Sequence, residues 1–155
     1  MPDPLSITAS VIAVATLAYS SSKKLYEFVQ SIQEAPKTLK DMNSDLAALQ
    51  KVLNSLIEQL TTTPVEDVSV GLKGCLEDIK PSLKGCSEAC DEFNAKLAKI
   101  TSHSTEDHTS KRDKIKLQFQ DKEILAFKYR ISSYKATLSL ALEFASLYVT
   151  HQKSI

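Results

Sequence analysis

The tightest constraint on the fold is a run of apolar residues at Leu39, Met42, Leu46, Leu49, Leu53, Leu56 and Leu60, spaced 3-4-3-4-3-4 without a miss. Only a helix puts residues at that spacing on one face, and the rhythm is that of helices packing at shallow angles in bundles or coiled coils. The intervening Lys37, Lys40, Asp41, Asp45 and Lys51 form a solvated face. A single helix cannot bury such a stripe alone, so the rest of the chain must supply its partners.

Two further segments carry the same register. After Thr61, a capping pattern at Thr63, Pro64, Val65 and Glu66 predicts the start of a helix with proline in its first turn. Its seam is Leu72, Leu76, Ile79, Leu83, Cys86, Cys90, Phe93, Leu97 and Ile100, which keeps step through Pro81 and predicts one helix with a kink. Gly71, Gly74 and Gly85 weaken it. The polar, aperiodic residues 101–109 read as a loop, and Ser110 to Asp113 offer a second capping box opening a short helix through Phe119. From Asp121 the last helix runs on a seam of Ile124, Phe127, Ile131, Tyr134, Leu138, Ala141, Ala145 and Tyr148, ending near Thr150.

The first segment is different in kind. Residues 4–22 carry no charge, and as a helix they would span roughly 28 Å, close to the thickness of a bilayer's hydrocarbon core. Ser6, Thr8, Ser10, Thr16 and the run Ser20, Ser21, Ser22 dilute its hydropathy below that of a typical spanning helix. Ala13, Val14 and Ala15 suit a signal-peptide cleavage site, but Asp3 stands where such a leader needs Lys or Arg. The helix is expected over 4–33, with Asp3 as N-cap and Pro4 first. Its seam is Ile7, Val11, Val14, Ala18, Leu25, Phe28 and Ile32. Leu5, Ile12, Leu17 and Val29 fall off that seam, so the first half is apolar around much of its circumference and calls for central burial or lipid contact.

Four long helices with short connections predict an all-α fold, an antiparallel four-helix bundle of neighbouring helices with a short extra helix before the last. One domain over residues 1–150 with a frayed tail at 151–155 fits the chain's 155 residues. Nineteen basic and nineteen acidic side chains cancel, which removes the whole-molecule case for nucleic acid as a partner. Three cysteines, an odd count, are expected to be free thiols in a reducing, cytoplasmic setting.

The chemistry-bearing clusters are weak. Cys86 and Cys90 share a helix face but lie on the apolar seam, where cysteine is a small hydrophobe. His103 and His108 flank Glu106 and Asp107 in the polar loop, without a supporting shell. No catalytic serine elbow, zinc-protease helix or phosphate-binding glycine loop occurs. The expectation is therefore a non-enzyme with no cofactor, no metal and no small-molecule substrate. One charge asymmetry remains, in residues 111–135, with eight basic side chains against three acidic. Lys111, Arg112, Lys114 and Lys116 at its start form a candidate contact for anionic lipid or an acidic partner.

The opening MPDPLSITASVIAVATLAYSSSKKLYEFV resembles the fungal N-terminal domain of STAND proteins, the HeLo-like family, and the likeness continues in APKTLKDMNSDLAALQKVL, CLEDIKPSLKGCSEACDEFNAKL and KRDKIKLQFQDKEILAFKYRISSYKATLSLAL. The resemblance implies an all-helical bundle upstream of a nucleotide-binding domain in NLR-like receptors. It also implies a cell-death or heterokaryon-incompatibility effector that is recruited to the plasma membrane through its first helix. On that reading Leu5, Ile7, Val11, Ile12, Val14 and Leu17 make up the membrane-active segment. The alternative is a passive interaction module that self-associates or docks on another helical domain with no membrane step.

Overall fold

The computed structural model describes residues 4–64, 68–102 and 121–153. Within them the chain is helical in four long elements: α1 (Pro4–Ser31), α2 (Lys37–Thr62), α3 (Val70–Thr101) and α4 (Asp121–Lys153). The expected short helix before α4 and the Asp3 cap lie outside the described residues.

The leucine seam of α2 is the centre of the core. All seven of its residues are buried, none more than 2% exposed. The nine seam residues of α3 are buried as well, from Leu72 to Ile100. Their helix runs unbroken through Pro81. It begins later than the capping pattern at Thr63 predicts: Ser69 is the N-cap, accepting a hydrogen bond from the Leu72 amide at 3.1 Å. A serine whose hydroxyl reaches the third amide of the helix satisfies a donor the backbone leaves open. At the far end, α4 continues past Thr150 to Lys153.

The α1 seam also needs correction. Ala15 and Val29 are in the core, whereas Val14 and Phe28 are only half-buried. α1 is not central either. It packs on α2 and α3, while α4 packs on α2 and α3 from the opposite corner, so α1 and α4 face each other across a diagonal. The outside of α1 is covered by small or hydroxylated residues, Ala9, Ala13 and Thr16, with Leu17 beside them. Thr16 spends its hydroxyl on the Ile12 carbonyl at 2.7 Å.

Interhelical contacts set the directions. Asn43, near the start of α2, donates to the Tyr26 carbonyl near the end of α1, so these helices are antiparallel. The reversal between them passes through Glu34, which adopts a left-handed φ of 57°. Asp45 meets Lys128 and Gln59 meets Ser146, so α2 and α4 run parallel. Lys96 pairs with Glu123 and Phe93 stacks on Phe127, so α3 and α4 are antiparallel. Successive helices therefore alternate in direction, as expected of this bundle. The difference is that α2 and α3 are not neighbours: they lie across the second diagonal.

Candidate interaction surface

The residues that sequence singled out in α1 do not form one surface. Ile7 and Val11 are core residues at 8% and 1% exposure, Ile12 and Val14 are half-buried, and Leu17 points outward at 57%. The side chain of Leu5 lies outside the described set, as do Lys111, Arg112, Lys114 and Lys116. No described helix is long and apolar enough to cross a membrane. Two hydroxyls inside the α1 interface bind each other, Ser21 and Ser87, at 3.0 Å. Thr8, also buried, has no partner for its hydroxyl among the described residues.

The exposed apolar surface is instead on α4. Its predicted seam is in place, with Ile124, Phe127, Ile131, Leu138, Ala141 and Ala145 buried and Tyr134 and Tyr148 half-buried. Yet Tyr129, Leu140, Phe144 and Leu147 are exposed on the opposite side, and Leu125 is 42% exposed. Val70, the first residue of α3, joins them at 88%. α4 thus carries two apolar faces and buries one. The signal was legible, since Leu140, Phe144 and Leu147 stand off the core seam at helical spacing. Tyr129, also off that seam, is 76% exposed.

Beside this face a groove of about 470 Å³ opens between α3 and α4, lined by Gly74, Asp78, Ile79, Leu140, Ala141 and Phe144, among others. Its origin is in the antiparallel ladder that joins the two helices. A Cβ on Gly71 would collide with the ring of Tyr148, and one on Gly85 would lie 2.9 Å from the Tyr134 hydroxyl. Those glycines are what let the tyrosines lie across α3. Farther along, Phe127 stacks on Phe93 with ring centroids 4.3 Å apart. Gly74, by contrast, has nothing within 4 Å of where a Cβ would be.

The thiols offer little chemistry. Cys75, Cys86 and Cys90 are all unpaired. Cys86 and Cys90 are fully buried, and their shared hydrogen bond together with burial pushes the Cys90 thiol up. Cys75 lines the groove, and burial, then the neighbouring Asp78 carboxylate, raises its pKa above the usual thiol value. No group of three metal-liganding side chains occurs among the described residues. The cluster around His103 and His108 lies outside them.

No curated protein and no solved structure matches the chain. One family model does, described as pigment biosynthesis cluster protein PigL N-terminal, and it aligns with residues 2–154. The aligned stretch takes in all four helices, from the uncharged start of α1 to the end of α4 with its second apolar face. The whole bundle is therefore the unit the family shares, and this chain belongs to the PigL N-terminal family.

Proposed function

We propose that this bundle is a non-enzymatic interaction module of a signalling protein, and that it engages its partner through the outer face of α4 and the adjoining start of α3. The observation that carries this reading is the exposure of Leu140, Phe144 and Leu147 at 60%, 46% and 67% on a helix whose other face already supplies the core. Apolar residues gathered on one face of a soluble bundle mark a binding site more often than scattered ones do. A photo-crosslinking residue at exposed Ala136, on this face, should capture a partner in a fungal extract, whereas one at exposed Ala13 of α1 should not. Changing Phe144 and Leu147 to Lys should abolish the capture without moving the thermal melt. Equal capture from both positions, or capture that survives the two lysines, would refute the reading.

A second reading keeps the effector role implied by the HeLo-like resemblance: α1 leaves the bundle and inserts into an anionic membrane. Its support is the uncharged stretch 4–22 followed at once by Lys23 and Lys24, both exposed. The burial of Ile7 and Val11 means that insertion would first require α1 to detach from α2 and α3.

A further inference from the structure

The groove between α3 and α4 is a gap in a regular series of rings. Positions 127, 134, 141 and 148 recur every seven residues on the α3-facing side of α4, and they hold Phe, Tyr, Ala and Tyr. Three of the four lay an aromatic ring against α3, over Phe93, Gly85 and Gly71. At the remaining position Ala141 leaves the space open, opposite Gly74, Cys75 and Asp78. The groove therefore has the place of one missing ring, in register between Tyr134 and Tyr148.

Its charge is one-sided. Asp78 lines it and is exposed. Glu143 on α4 is exposed near the lining positions, whereas Glu77 on α3 stands four residues from Lys73 and three from Lys80 and shares their face of the helix. Lys73 and Lys80 on α3 and Lys135 on α4, all half-buried, fall on the far sides of the two helices by the 100° step of the α-helix. Among the described residues Asp78 has no ion-pair partner. A second copy of this chain, bringing the same acidic rim, would face like charge across a two-fold axis.

From this we infer that the groove takes an aromatic side chain from a basic amphipathic helix of a different protein, its ring filling the Ala141 gap and a Lys or Arg beside it meeting Asp78. The inference rests on the proposed role of the α4 face and specifies the partner. Helix-in-groove binding through one buried aromatic anchor, flanked by a charge that fixes register, is an established mode of recognition.

The test uses a synthetic Leu/Lys amphipathic helix of about 18 residues with one central Phe, long enough to hold helical structure when bound. Its counterparts replace the Phe by Ala, or every Lys by Glu. Binding is read by anisotropy and by protection of Cys75 from alkylation, since Cys75 lines the groove while Cys86 and Cys90 are buried. The Phe/Lys helix should bind the wild type about tenfold or more tightly than either counterpart. Ala141→Phe, which supplies the missing ring from within, should lose that binding with the fold kept or strengthened. Asp78→Lys, at an exposed position, should weaken the Lys helix and favour the Glu helix, and it serves equally if Ala141→Phe does not fold. Equal affinity for the Phe and Ala helices, or Ala141→Phe binding like wild type, overturns the inference, as does a wild-type dimer that Ala141→Phe dissolves. If the lysines at 144 and 147 abolish partner capture while Ala141→Phe leaves it intact, the α4 face stands and the ring gap falls. If neither change affects capture, the face itself is wrong.

Discussion

The bond between Ser21 and Ser87 permits a prediction whose sign changes between single and double substitution. The two residues are 4% and 3% exposed, and their oxygens are 3.0 Å apart across the α1–α3 interface. Ser21→Ala removes a hydrogen bond contributing about 0.5–1.5 kcal/mol and strands the Ser87 hydroxyl, at a further cost that reaches about 1–3 kcal/mol if it finds no acceptor. A serine inside a helix can turn its proton to the carbonyl four residues back, which keeps the cost toward the low end. Alanine returns up to about 0.5 kcal/mol through its higher helix propensity. Each single variant should thus lose about 0.5–2 kcal/mol. The double variant has no stranded hydroxyl and gains the propensity term twice, so it should match the wild type or exceed it by up to about 1 kcal/mol. Urea unfolding of all four proteins at a common m-value gives the coupling energy, expected at about 1 kcal/mol or more. Additive losses, or a double variant less stable than either single, would show that the two hydroxyls do not depend on each other in the folded protein.

Two further outcomes follow. Cys75 should alkylate first and slowly, its rate climbing with pH through and beyond the usual thiol value of 9.0, because burial and then Asp78 raise its pKa. Asp78→Asn removes the nearby negative charge, so it should lower that pKa and speed the reaction at fixed pH, as read by intact mass; an unchanged rate refutes the electrostatic contribution. In α1, Leu17→Glu should move the melt by no more than about 0.5 kcal/mol, whereas Val11→Glu should unfold the bundle by burying a charge. Leu17→Glu is therefore the variant that tests membrane insertion, and leakage of anionic vesicles that persists in it would count against an inserted α1.

The register of α2 and α3 could be read directly from the chain because each has one apolar stripe and charges elsewhere, so only one rotation buries the stripe. α1 lacked that contrast. With apolar side chains on most sides of its first half, hydropathy could not choose between Val14 and Ala15, or between Phe28 and Val29. Close packing chose the smaller residue of each pair for the core. The diagonal placement of α2 and α3 was hidden for another reason: the 63–69 link is long enough to reach an adjacent or an opposite corner, and loop length carries no more information than that. For α4 the difficulty was an excess of signal. One heptad seam explained its helicity, and the second, through Leu140, Phe144 and Leu147, becomes meaningful only when the structure shows that none of the described helices covers it.

The two functional readings meet on α3. It carries all three glycines and Pro81, and it holds α1 on one flank and the ring gap on the other. A helix bound in the gap contacts both α3 and α4, so it binds the assembled bundle and stabilises it in proportion to RT ln(1 + [L]/Kd). Detaching α1 exposes the face of α3 that it covers around Ser87, and loosens the scaffold on which the groove depends. Binding in the groove and release of α1 must then oppose each other, because any ligand that prefers the closed bundle raises the cost of opening it by the same free energy. If both readings hold, the α3/α4 partner is a restraint on the first helix, and membrane activity follows from losing that partner.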